Sequence, residues 1–446
     1  MALFGTDGVR GLANGFLTAE LALDLSIAAA HILGELGAFA GHRPKAIVGQ
    51  DSRASGEFLE AAVVAGLASA GVDVYRVGIL PTPAIAHLVA ESGADLGVML
   101  SASHNPMPDN GIKFFAKGGG KLDDALEAAI EKRMGESWQR PTGRNVGRVI
   151  NDDSAAERYI FHLLNSLTMN LGGIKVVVDC ANGASSRVAP KTYTRAGAEV
   201  IAISHEPDGW NINENCGSTH LENIKAKVLE TGADLGIAHD GDADRCLAID
   251  SHGNEVDGDF IMAILAADWQ SRGLLKNETI VGTVMSNLGF FKAMEALDIN
   301  VETTAVGDRY VLEKMLADDF VLGGEQSGHI IMRHYANTGD GLLTALHLMQ
   351  AVKSSGKPLS ELSKVMERFP QELINVKVVA KEKLSTSAKL KSEIELRQAE
   401  LGTSGRILVR ASGTESLVRV MVEAKSADSA KRMAEELAAL VRSELS

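Results

Sequence analysis

Short apolar runs alternate with longer stretches of helical periodicity along most of the chain. Residues 45–50 (KAIVGQ) read as a buried strand, 56–70 as a helix and 72–77 as a strand again. A helix follows over 83–89, with Thr82 as its N-cap and Pro83 at the first helical position, and 96–100 is the next strand. The alternation resumes with a strand over 174–178, a helix over 185–196 and a strand over 199–203. It appears a third time as 279–284, 288–297 and 301–306. This order predicts an α/β protein, with mixed sheets carrying helices on their faces. Residues 21–41 are the most apolar long stretch. Asp24, His31 and Glu35 interrupt it, so it reads as a buried amphipathic helix and not as a membrane span.

An internal repeat underlies the alternation. Gly93-Ala94-Asp95-Leu96-Gly97 recurs letter for letter as Gly232-Ala233-Asp234-Leu235-Gly236. Each copy leads into an apolar strand, a polar loop and a second strand. The first loop is Ser101 to Asp109, before a strand over 110–115; the second is Asp240 to Asp244, before 245–250. A weaker third copy runs from Ala317 to Glu325, with the loop Gln326-Ser327-Gly328 and a strand over 329–332. Three such contexts in three α/β segments predict a triplicated unit. The tail differs: strand 373–379, helix 384–400, strands 406–410 and 417–422 and helix 426–443 make a smaller α+β domain. Pro370 marks its boundary, and the polar, Gly- and Pro-containing stretch 135–147 reads as a linker. The expected domains are 1–150, 151–252, 253–367 and 368–446.

Composition narrows the functional class. Of 446 residues, 44 are Lys or Arg and 58 are Asp or Glu, a net charge of −14. Such a chain is a poor general partner for nucleic acid or an anionic membrane, although a local basic pocket for a small phosphate remains open. Aromatics are scarce at 4% while Gly reaches 45 residues, which favours tight turns over an aromatic carbohydrate groove. Cys180, Cys216 and Cys246 are dispersed and odd in number, so neither a disulfide framework nor a zinc site is expected. The first residues carry no basic region followed by an apolar core, and a cytoplasmic protein without a signal peptide is expected.

Chemistry concentrates at the predicted strand ends. Asp240, Asp242 and Asp244 alternate after an apolar run, a spacing that can turn three carboxylates toward one hard cation such as Mg²⁺. An EF-hand is excluded by Arg245 at its sixth position and Ser251 at its twelfth. Ser103, in Ser-Ala-Ser-His-Asn-Pro, is either a nucleophile or phosphate carrier, or a turn-capping serine. His104, adjacent in sequence, is not expected to reach back to it as a base, which argues against a hydrolase triad. Gly118-Gly119-Gly120-Lys121 lacks the P-loop spacing and reads as a flexible hairpin loop. Arg410 to Glu415, with Arg419 beyond, combines guanidinium groups, hydroxyls and a glycine in the manner of a phosphate cradle or of an ordinary hairpin turn. Glu325 to His329 mixes acceptors and donors as sugar-hydroxyl recognition needs. Asp7, Arg10, Lys113, Asp308 and Arg309 are surface charges or site residues.

Taken together, Phe4 to Gly11, Ser101 to Pro106, Asp109 to Phe114, Asp240 to Arg245, Val306 to Tyr310, Gly324 to His329 and Arg410 to Thr414 resemble, in order, the α-D-phosphohexomutases across essentially the whole chain. Ala243 and Ser416 depart from that pattern, where Gly and Pro are usual. The resemblance implies three related α/β domains and a C-terminal domain around a central cleft. Ser103 would be the phosphorylated residue, and Mg²⁺ would be held by Asp240, Asp242, Asp244 and a phosphoserine oxygen. Arg10, Lys113 and Arg245 would lie near the transferred group, with Lys113 or His329 as proton acceptor. Glu325, Ser327, Asp308 and Arg309 would meet the sugar, and Arg410, Ser412, Gly413, Thr414 and Arg419 the distal phosphate. The implied reaction interconverts glucosamine 6-phosphate and glucosamine 1-phosphate through glucosamine 1,6-bisphosphate, a step toward UDP-N-acetylglucosamine and cell-wall precursors. Glucose or mannose phosphates are the alternative substrates. A metal-dependent phosphatase and a non-catalytic sugar-phosphate regulator are the alternative classes. A homodimer is left open.

Overall fold

The computed structural model describes residues 3–5, 7–411 and 417–445. The chain divides into two compact units. One comprises Met1–Met285 with Ile299–Val365, the other Ser286–Asp298 with Met366–Ser446.

The larger unit contains three sheets of one topology. In the first, Asp109–Ala116 lies antiparallel to Leu96–Leu100, which runs parallel to Lys45–Gln50, itself parallel to Asp73–Ile79. In the second, the same places are taken by Leu247–Asp250, Leu235–Ala238, Lys175–Asp179 and Glu199–Ile203. In the third, they are taken by Ile330–Met332, Leu322–Gly324, Thr279–Thr283 and Asn300–Thr304. The first sheet adds Val9–Leu12 at one edge and Val149–Asn151 at the other. The central strands are apolar on both faces, as a parallel sheet covered by helices demands.

The five-residue identity has a physical reason. Gly93 and Gly232 end their helices in the left-handed region, both at φ 62°, where a side chain would be strained. Ala94 and Ala233 are buried behind them. The Asp95 N–H bonds the Lys45 carbonyl and its carboxylate accepts the Lys45 N–H; Asp234 makes the same pair with Lys175. Gly97 and Gly236 let the preceding helix approach: a Cβ there would stand 2.6 Å from Val89 and 2.8 Å from Val228. In the third copy Asp319 takes the left-handed place at φ 56°.

Several expected boundaries move. The helix of the apolar N-terminal stretch spans Ala19–Glu35. The helix expected from Ser185 starts at Val188, because Ser185 and Ser186 bond the carbonyls of Cys180 and Gly183 instead. The presumed linker 135–147 is pinned: the Gly147 N–H bonds Ala68 O at 2.9 Å, and Arg43 donates to the carbonyls of Arg144 and Val146. Gly118 to Lys121 is also not free. Phe115 bridges Lys121, and a Cβ on Gly119 would meet Ala86 O at 2.1 Å.

The smaller unit is a three-stranded antiparallel sheet, ordered Gln371–Lys377, Leu417–Ala424, Gly405–Ala411. Val376, Val418, Val420 and Val422 face Met433, Leu437 and Val441 of the helix Ala427–Leu445. The helix Leu288–Ala296 joins this unit through buried Glu423, which accepts from Asn287 Nδ2, the Leu288 N–H and Arg406. Among the described residues no helix is long and apolar enough to cross a membrane.

Candidate active site

The three strand-end loops of the larger unit converge. Leu96–Leu100 is wholly buried and delivers Ser103 at φ 53°, a left-handed conformation strained for a residue with a Cβ. A buried scaffold holds it there. Ser101 Oγ donates to Asp51 Oδ2 at 2.7 Å and accepts the Ser103 N–H at 2.9 Å. Arg53 is 1% exposed and forks between the carbonyls of Pro106 and Asp109 on one nitrogen and Ser103 and Asn105 on the other, while its Nε donates to Asp51. Asn213 Nδ2, from the second α/β segment, also donates to Ser103 O at 2.9 Å. Burial raises the Asp51 pKa against the pull of Arg53 and Ser101.

Ser103 Oγ donates to Asp240 Oδ2 at 2.5 Å. His104 Nδ1 also stands 3.2 Å from Ser103 Oγ, which corrects the expectation that the adjacent histidine cannot reach it. The left-handed turn at Ser103 brings the two side chains to one side. Burial, then Arg245 and Arg10, push the His104 pKa down to about 4, so its ring is neutral at pH 7.

Asp240, Asp242 and Asp244 are buried, and one oxygen of each lies within 4.8 Å of the others. Ala243, at φ 56°, makes the turn that the glycine usual in the family would make without strain. Gly241 is required for contact: a Cβ there would stand 2.6 Å from Ser103 O. The carboxylates titrate apart. Burial, then Asp244 and Asp242, push Asp240 up to about 8. Burial acts on Asp242 in the same sense, but Lys113 and Thr82 outweigh it and hold the group well below the usual carboxylate range. Asp242 Oδ1 and Asp244 Oδ1 are buried without a hydrogen-bond partner. Unpartnered acidic oxygens aimed into one small volume fit a hard divalent cation. A cation must displace the proton of Asp240. Apparent Mg²⁺ affinity should therefore rise with pH through the neutral range. Calorimetric titrations from pH 6 to 9 check this, and a flat affinity over pH 6–8 would contradict it.

Cations surround the carboxylates. Lys113 Nζ lies 2.8 Å from both Asp7 Oδ2 and Asp242 Oδ2. Lys121 bridges Asp7 and Asp308, and Arg10 pairs with Asp7. Arg245 Nε is 4.0 Å from Asp240 Oδ2 and from Asp244 Oδ1. His329 sits between Asp244 (3.5 Å) and Asp308 (3.6 Å). Neither expected proton acceptor is free. Burial opposes charge on Lys113, but Asp242 and Asp7 prevail and hold its pKa above the usual lysine value. Burial likewise opposes charge on His329, yet Asp244 and then Asp308 lift it to about 9, so the ring is held protonated between the two carboxylates and is no ready base.

The third loop lies beside this cluster. The Arg245–His329 bridge and the Cys246 N–H on Gly328 O join it to the aspartate loop. Glu325 Oε1 accepts the Gly307 N–H at 3.0 Å, and Ser327 Oγ has no hydrogen-bond partner. Asp308 enters the cluster, but Arg309 does not. It is tied to Leu122 O, Asp124 and Glu127 of the first α/β segment, because those acceptors lie on its side of the helix Asp308–Ala317. In the smaller unit Arg410 and Arg419 face each other across neighbouring strands, and burial, then Arg419, lower the Arg410 pKa. Two guanidinium groups placed opposite each other repel unless an anion is shared. Ser412, Gly413 and Thr414 lie outside the described residues, as does Ser416. Sequence reasoning missed Arg53, Asp51, Asn213 and Lys121, whose partners, apart from the Asp51–Arg53 pair itself, are distant in sequence, and it misread Thr82.

The chain matches the phosphoglucomutase/phosphomannomutase domains in order: α/β/α domain I over residues 1–140, domain II over 157–253, domain III over 257–369 and the C-terminal domain over 373–440. It is 61% identical over 448 residues to a phosphoglucosamine mutase of Streptomyces griseus, covering 99% of each chain. It is also 61% identical over 444 residues to one of Thermobifida fusca, covering 100% of this chain and 99% of that one. The solved N-acetylphosphoglucosamine mutase of Aspergillus fumigatus, in complex with GlcNAc-6P and magnesium, shares the fold at a TM-score of 0.71 and 18% identity, over 100% of this chain and 96% of that one. With four consecutive domain matches over most of its length, the chain belongs to the phosphoglucomutase/phosphomannomutase family.

Proposed function

We propose that this protein is an isomerase that interconverts glucosamine 6-phosphate and glucosamine 1-phosphate through a phosphoserine at Ser103. The observation that carries this reading is the hydrogen bond from Ser103 Oγ to Asp240, inside three buried carboxylates flanked by Lys113 on Asp242 and Arg245 near Asp240 and Asp244, with Arg10 on Asp7 beyond. The near-complete identity span with phosphoglucosamine mutases supports the aminosugar as substrate. The metal would be Mg²⁺, and Asp240, Asp242, Asp244 and the Ser103 phosphate would hold it. When bound it neutralises charge on the transferring group.

The phosphoryl group leaves Ser103 Oγ as a bond forms to the free hydroxyl of the sugar phosphate, whose proton ends on the released serine oxygen, giving the 1,6-bisphosphate. The sugar turns over, and the other phosphoryl group returns to Ser103. Phosphoserine adds a charge of about −2, which holds Lys113, Arg10 and Arg245 cationic around the group in flight. His329, between two aspartates, orients this side of the cluster. Glu325, Ser327 and Asp308 read the sugar, and Arg410, Ser412, Gly413, Thr414 and Arg419 bind a phosphate.

A coupled assay comparing the 6-phosphates of glucosamine, glucose and mannose, run with a measurement of released inorganic phosphate, tests the proposal. The largest kcat/KM on glucosamine 6-phosphate without phosphate release is expected. Stoichiometric phosphate release would identify a phosphatase. Glu325→Ala should cost about 2–4 kcal/mol of transition-state stabilisation on glucosamine phosphate, the scale of a charge-assisted bond to substrate. An unchanged kcat/KM would exclude Glu325 as the sugar reader.

A further inference from the structure

The dipeptide Thr82-Pro83 suggests a helix whose threonine caps its own first turn, but Thr82 does something else. The helix spans Thr82–Ser92 with Pro81 at the N-cap, and no side chain caps it. Thr82 is 1% exposed and turns outward into the second α/β segment. Its hydroxyl donates to Asp242 Oδ2 at 2.6 Å, and its own N–H donates to the Asp242 carbonyl at 2.9 Å. One residue thus grips the middle aspartate of the triad by both backbone and side chain, across 160 positions of sequence.

The consequence falls on the other oxygen. Oδ2 receives two donors, Thr82 Oγ1 and Lys113 Nζ at 2.8 Å. Oδ1 receives none, although Asp242 is fully buried. A carboxylate with one oxygen saturated and one bare cannot rotate about its final bond without exchanging two good bonds for none. Lys113 alone does not impose this, since its ammonium is a flexible point charge shared with Asp7. The threonine hydroxyl is β-branched and rooted in the first turn of a buried helix, so its direction is set by the backbone.

We propose that Thr82 is a positioning residue for the metal: it orients Asp242 so that Oδ1 faces the cation bound by Asp240 and Asp244. The inference rests on the reading of the triad as a Mg²⁺ site. It assigns to the first α/β segment, through a residue that touches neither metal nor substrate, part of the affinity of the second segment's site. Outer partners of this kind change metal affinity by about 10–100-fold when removed.

The experiment uses the full-length protein carrying its Ser103 phosphate, and MgCl₂ alone. Magnesium affinity is measured by calorimetry, together with the melting temperature in chelator and in saturating Mg²⁺. Thr82→Val keeps the shape and removes the hydroxyl, and Thr82→Ser restores it. The expected result is affinity about tenfold weaker in Thr82→Val and within about threefold of wild type in Thr82→Ser, with a smaller magnesium-induced rise in melting temperature for the valine variant. A purely structural clasp would instead lower the melting temperature in chelator and leave affinity unchanged, which would overturn the proposal. So would a serine variant as weak as the valine one. Absence of Mg²⁺ binding by the wild type would overturn the metal reading itself. Wild-type binding that Thr82→Val preserves would overturn this inference alone.

Discussion

Ser103→Ala should fold and carry no turnover. The substitution removes the oxygen that would receive the phosphoryl group, and the hydroxyl two residues away does not replace it: Ser101 Oγ is committed to Asp51 and to the Ser103 N–H. Loss of the carrier should lower kcat by at least about four orders of magnitude, as when a covalent nucleophile is deleted. Stability should change little. Alanine tolerates φ 53° about as well as serine, and the bond to Asp240 is worth about 1–3 kcal/mol at most. Intact-mass measurement should find a phosphate on the wild type and none on the variant. Circular dichroism and thermal melting should be nearly superimposable. Residual activity above a hundredth of wild type would exclude Ser103 as the phosphate carrier.

Arg53→Met should do the opposite damage, to stability first. The guanidinium is enclosed, with its fork on four carbonyls of the Ser103 loop and its Nε on Asp51. Methionine fills the stem's volume but leaves the buried Asp51 carboxylate with only the Ser101 hydroxyl and the backbone N–H of residue 53, and takes one donor from each of the four carbonyls. Removing one partner of a buried pair costs about 3–5 kcal/mol. The first transition in thermal or urea unfolding should come earlier by that amount. Arg53→Lys should recover only part of the loss, because an ammonium cannot reach four carbonyls in one plane. Pairing Arg53→Met with Asp51→Asn should cost less than the sum of the two, since the second change removes the charge that the first leaves stranded. A single variant that melts within a degree of wild type would show that the loop does not depend on this scaffold.

Local chemistry was legible wherever one residue's own surroundings decide it. The GADLG repeat announced two equivalent sheets because each of its letters has a local duty: a left-handed turn, a buried methyl, a strand-to-strand carboxylate, a core leucine and a helix contact; the third sheet follows the weaker copy at 317–325. The alternating aspartates announced a cluster of three converging carboxylates, because charges spaced two apart after a buried strand share one side of the loop. Misreadings came where two elements meet. Thr82 has the sequence of an N-cap, and only the neighbouring segment supplies the carboxylate that outcompetes its own helix. Lys121 sits in a glycine run that looks flexible, and its two aspartates lie 114 and 187 residues away. Arg309 matched a site position, yet acceptors of the first segment claim it.

The amino-acid sequence by itself therefore determined the α/β alternation, the threefold repeat, the smaller C-terminal domain and the three strand-end loops that carry Ser103, the aspartates and Glu325. Those follow from periodicity, backbone preference and charge crowding, which act over a few residues. Only the tertiary structure decided that Arg53 and Asn213 grip the serine loop, that Thr82 and Lys113 share one oxygen of Asp242, and that His104 turns back onto Ser103. These depend on the direction in which a side chain leaves its backbone and on which acceptor is nearest once the segments pack. A hydrogen bond is decided by a few tenths of an ångström, and no spacing along the chain encodes that distance.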